Sequence, residues 1–128
     1  MDVLEEKVAE IKSVLTRAAK SRSIVRYPKI YSLFEDDENK TIIWATFEQA
    51  CREIADPSEA IYGVLMRIKS TELPQDGFFD LFKNMRPEKY KELTGSYSAS
   101  SNMIDPEKRA EIVKLESETV YNHAAKNL

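Results

Sequence analysis

Apolar residues near the N-terminus fall at Leu4, Val8, Ile11, Leu15 and Ala18, alternating steps of four and three. That spacing returns to one face of a helix at every turn. Asp2 followed by Glu5 gives a capping-box start, and the pattern predicts a helix reaching about Lys20. The stripe is too short for a coiled-coil seam, so it predicts a helix docked on its own domain. With 3 glycines and 5 prolines in 128 residues, a loop-built or collagen-like chain is excluded. At 42% hydrophobic residues the chain has enough apolar surface for a single domain with a real core.

Further along, Ile24-Val25-Arg26-Tyr27 is β-prone, and Pro28 is placed to open a second helix with Ile30, Leu33 and Phe34 inward. Glu35 to Lys40 reads as an acidic loop. Thr46 and Gln49 form another capping-box pair. They predict a third helix to about Ala55, with Phe47, Ala50, Cys51 and Ile54 buried and Trp44 packed over it. Ala60 to Ile68 lacks helical caps and is rich in β-formers, which predicts a strand. Lys69 to Gly77 is turn-rich, and Gly77 is expected in a conformation that glycine alone tolerates cheaply. Phe78 to Phe82 fits either a returning strand or the start of a helix. Pro87 opens a short helix closed by Gly95, and Asp105-Pro106 opens a last helix with Ala110, Val113, Val120 and Ala124 as its apolar stripe.

Charge is unevenly distributed. Ile11 to Phe34 holds six basic residues and no acid, whereas Glu35 to Met66 holds eight acids and two basic residues. The net charge of −3 hides this polarity.

The order of helix, short strand, two helices, strand and turn matches a winged helix. Two stretches carry the likeness: Ile24 to Tyr31, and Leu73-Pro74-Gln75-Asp76-Gly77-Phe78-Phe79, an LPxxGF segment. The chain thereby resembles small winged-helix domains of bacteria and mobile elements over about Val3 to Phe82. The resemblance implies an α+β, mostly helical fold, with a winged-helix-like core in residues 1–82 and two additional C-terminal helices in 83–128. It also implies DNA binding. The third helix departs from the pattern, since Glu48, Glu53 and Asp56 outnumber Arg52 where base-reading side chains are expected. The candidate nucleic-acid contacts are therefore Arg17, Lys20, Arg22, Arg26 and Lys29, with Arg67 and Lys69 on the wing. The alternative is that these cations are a solvated face.

Other reactive side chains lack company. His123 is the sole histidine, without a metal-spaced set or a base-nucleophile pair around it. Cys51, the sole cysteine, sits on an apolar helix face and reads as a small buried hydrophobe. Glu35-Asp36-Asp37-Glu38 lacks the alternating ligands and glycine of a calcium loop. No disulfide is available, no apolar run reaches the roughly 20 residues of a membrane span, and the acidic N-terminus is unlike a secretory leader.

These features predict a cytoplasmic, non-enzymatic binding module without cofactor, metal, membrane or small-molecule substrate. The expected partner is nucleic acid, as for an accessory or regulatory protein of a mobile element. The alternative is a protein-protein module such as a small inhibitor or adaptor, or a homodimer. It would use the acidic surface at Glu35–Glu38 or an apolar helix stripe.

Overall fold

The computed structural model describes residues 3–128. The chain is mostly helical, at 66% helix against 3% strand. Its helices are α1 (Glu5–Lys20), α2 (Tyr27–Tyr31), α3 (Lys40–Ile54), α4 (Asp76–Met85), α5 (Pro87–Thr94) and α6 (Pro106–Asn127). Two short strands, β1 (Val25–Arg26) and β2 (Met66–Arg67), pair in parallel with Val25 opposite Met66 and Arg26 opposite Arg67.

The N-terminal stripe does what its spacing requires. Val8, Ile11, Leu15 and Ala18 are buried on α1, which lies against α3 and α6. The capping role given to Asp2 lies outside the described residues. Pro28 sits in the first turn of α2, where its missing N–H costs nothing, and Ile30 and Phe34 are buried. Gly95 closes α5 in the left-handed conformation (φ 84°), with its N–H on the Lys91 carbonyl at 2.7 Å. Asp105 caps α6 by accepting from the Glu107 N–H at 2.8 Å.

A 3-10 turn, Tyr62–Leu65, runs through the middle of the molecule, where α1, α3 and α6 all pack on it. Tyr62, Val64 and Leu65 have no exposed surface. Burial from several sides explains why this stretch reads as uniformly apolar. The C-terminal helices belong to the same core, with Ile112, Val113, Val120 and Ala124 buried in it.

Three local expectations are corrected. Ala60–Ile68 is not a continuous strand, since the 3-10 turn takes its centre and only Met66–Arg67 pairs. The apolar run reflects depth of burial rather than sheet pairing. Helix α3 starts at Lys40, not Thr46, because Asn39 caps it by accepting from the Thr41 N–H at 2.7 Å. Thr46 is instead fully buried in mid-helix. Its hydroxyl donates to the Ile42 carbonyl at 2.7 Å and accepts from the Leu4 N–H at 3.2 Å, tying α3 to the start of α1. Gly77 lies in the first turn of α4 without a positive φ, and the turn before it contains the left-handed residue Glu72 instead. Phe78 to Phe82 is helical, with Phe78, Phe79 and Phe82 buried.

Candidate functional site

On α3, Trp44, Phe47 and Cys51 recur at helical spacing and share one face with Glu48 and Arg52, and Ala55 follows just past the helix end. That face does not close fully on its neighbours. It forms one wall of a cleft of about 310 Å³. Opposite stand Ile61, Tyr62 and Gly63 at the start of the central turn, Met66 of β2, and Gly77, Phe78 and Leu81 of α4. Tyr27 closes one end, held by its hydroxyl oxygen accepting the Gln75 N–H at 2.8 Å.

The aromatic side chains form a connected wall. Trp44 meets Tyr27 edge-on at 5.7 Å between centroids, Tyr31 at 5.5 Å and Phe47 at 5.3 Å. Such rings present large, stiff apolar surface that loses little entropy when covered. Two glycines line the cleft. A side chain at Gly63 would touch Phe47 at 3.7 Å, and one at Gly77 would meet nothing within 4 Å. The charged residues of the lining, Glu48 and Arg52, form an exposed ion pair of 3.5 Å.

Cys51 faces this cleft as a neutral thiol. Desolvation, with a smaller push from Glu48, raises its pKa from 9.0 to about 12. A thiol so far from ionisation is a poor nucleophile, as its place on an apolar helix face implied. His123 lies elsewhere, its Nδ1 sharing a 2.8 Å hydrogen bond with the Tyr62 hydroxyl. Burial pushes the Tyr62 phenol up to about 12. Among the described residues no three His, Cys, Asp or Glu side chains converge as a metal site, and no helix is long and apolar enough to cross a membrane.

The basic residues picked from sequence divide into two groups. Arg17, Lys20, Lys29 and Lys69 are exposed and make no ion pair among the described residues. The other three are engaged. One Arg22 nitrogen donates to both Glu118 oxygens at 2.7 Å, and its guanidinium lies 4.8 Å from the Tyr121 ring. Arg26 forms a two-pronged pair with Glu72, holding that carboxyl below its ordinary range. Arg67, expected on an exposed wing, is buried at 9% exposure. It donates to the Val64 carbonyl, to the Met66 carbonyl at 3.1 Å and to the Ser117 hydroxyl at 3.0 Å. The partners Glu72 and Glu118 lie 46 and 96 residues away in sequence, so no local pattern announces them. The cleft was likewise invisible locally, although Trp44, Phe47 and Cys51 carried its signal as an apolar face wider than one helix neighbour covers.

The chain matches no family model, no curated protein and no solved structure.

Proposed function

We propose that this protein is a non-enzymatic protein-binding module, and that the cleft between α3 and α4 receives an apolar anchor side chain of its partner. The aromatic lining at Trp44, Phe47 and Phe78 carries this reading. Binding interfaces draw most of their energy from a few large side chains seated in desolvated pockets, ringed by polar groups that exclude water. The cleft has that plan, with an apolar floor and Glu48, Arg52 and Gln75 at its edge. Its volume is at the lower end of the roughly 300–1,000 Å³ typical of ligand pockets, which suits one or two side chains. The lone neutral cysteine fits a reducing, cytoplasmic setting.

The test fills the cleft. Gly77→Leu adds a side chain where nothing lies within 4 Å and replaces a helix-weakening residue. A variant that folds as well as the parent and no longer binds an apolar anchor supports the module. Undiminished binding in that variant rejects it.

A second reading keeps nucleic acid as the partner, with a winged-helix-like core formed by α1, β1, α2, α3 and β2 in that order. It is favoured by Arg17, Lys20, Lys29 and Lys69, which are exposed and make no ion pair among the described residues. Labelled random duplex DNA tests it by anisotropy across a salt series. Micromolar binding with a log-log slope of about −3 or steeper supports backbone neutralisation by these cations. Absence of binding at low salt eliminates it.

A further inference from the structure

We propose that a second pocket, between β2 and α6, binds a small phosphate monoester. On α6, Lys114, Ser117 and Tyr121 recur at three- and four-residue spacing and so share one face. Arg67 of β2 faces them, and the space between is about 340 Å³. The site lies apart from the aromatic cleft and is more polar than it.

The Arg67 guanidinium is buried, yet among the described residues no carboxylate lies within ion-pair distance of it. A buried cation held only by neutral carbonyls and a hydroxyl is costly unless an anion joins it. Arginine carries five N–H donors, and the contacts to Val64, Met66 and Ser117 leave donor capacity over. The Ser117 oxygen accepts from Arg67, so its own proton is free to donate. Lys114 is exposed and makes no ion pair among the described residues.

The pocket carboxylates do not cancel this charge. Glu72 and Glu118 line the wall, and each already holds a guanidinium, Arg26 and Arg22. Arg22 and Arg26 stand outside the lining, and of the groups on it Arg67 and Lys114 are the cations with no carboxylate paired to them among the described residues. A phosphate monoester carries about −1.5 to −2 at neutral pH, enough to answer both, and its oxygens suit a planar guanidinium fork.

The experiment titrates the 15N-labelled full chain with inorganic phosphate and with glycerol phosphate, using chloride at matched ionic strength as control. The expected result is saturable shifts at Ser117, Tyr121 and the Arg67 side chain with both phosphates and none with chloride. Lys114→Glu, an exposed change that leaves the core intact, should weaken binding by about tenfold or more, through like-charge repulsion of the anion. Ser117→Ala should weaken it while retaining Arg67. Shifts that fail to saturate, that chloride reproduces, or that Lys114→Glu leaves unchanged overturn the proposal. A duplex oligonucleotide serves as competitor. Displacement of glycerol phosphate by micromolar duplex would overturn the monoester assignment in favour of a phosphodiester backbone.

Discussion

Arg86 and Glu116 meet in the interior as a parallel pair, Nε to Oε1 and Nη2 to Oε2, both at 2.8 Å. Glu116 is 1% exposed. Its second oxygen also accepts the Ile61 N–H at 2.9 Å, and Arg86 reaches the Ser58 carbonyl at 3.1 Å. One carboxylate thus fastens α6 to the start of the central turn and to the α4–α5 junction. Glu116→Gln leaves a guanidinium without its counter-charge at a largely buried site, and breaking such a pair costs about 3–5 kcal/mol. Urea denaturation should show that loss. Arg86→Lys should also be strongly destabilising, because an ammonium cannot reproduce the fork. A loss below about 1 kcal/mol in both would place the pair with ordinary surface bridges.

Arg22 tests whether backbone or side chain matters more at the end of α1. Its ion pair with Glu118 is exposed on both sides, so its removal costs little. Its left-handed φ of 55° is unfavourable for any residue with a Cβ. Arg22→Gly should therefore stay within about 1 kcal/mol of the parent, while Arg22→Val should lose about 1–2 kcal/mol, since a β-branched residue resists that conformation most. Thermal unfolding of the two variants compares them directly.

Cys51 and Tyr62 both make the fold weaker in alkali. Burial raises the thiol from 9.0 to about 12 and the phenol from 10.0 to about 12. Both groups stay neutral in the native state while their unfolded counterparts ionise. Their contribution to stability is therefore whole below pH 9 and falls as pH rises toward 12. Cys51→Ala should flatten the decline between pH 9 and 10, before the phenol takes part. The native thiol should react slowly with a disulfide reagent at pH 8 and quickly once urea unfolds the chain. Fast reaction in the native state would contradict a thiol held so far above its ordinary pKa.

What the sequence made legible was periodicity and punctuation. The 4-3-4-3 stripe of α1, the prolines opening α2, α5 and α6, and Gly95 all act locally, and local signals survive without an alignment. What stayed hidden depends on distant partners. Tyr62–Leu65 looks like a strand because three helices bury it, and that becomes visible only with the helices in place. Thr46 looks like a cap because threonine followed by glutamine is a capping pattern. Its hydroxyl is spent on Ile42 and Leu4 instead. Glu116 sits within the buried stripe of α6, and nothing within a helical turn explains a carboxylate there; Arg86 does. The basic run was visible from the start, but the ion pairs that occupy Arg22 and Arg26 were not.

The cleft is best tested with a neutral mimic of an apolar anchor. The 15N-labelled chain would be titrated with N-acetyltryptophanamide, with the Trp44 indole N–H and the Gly63 and Gly77 amides as reporters at the cleft wall. The account predicts saturable shifts confined to those groups and their neighbours, with a dissociation constant of about 1 mM, or about 4 kcal/mol. It also predicts their loss in Gly77→Leu, whose unfolding midpoint should match or exceed the parent's. Shifts that are absent, scattered over the surface, or preserved in a well-folded Gly77→Leu would contradict it.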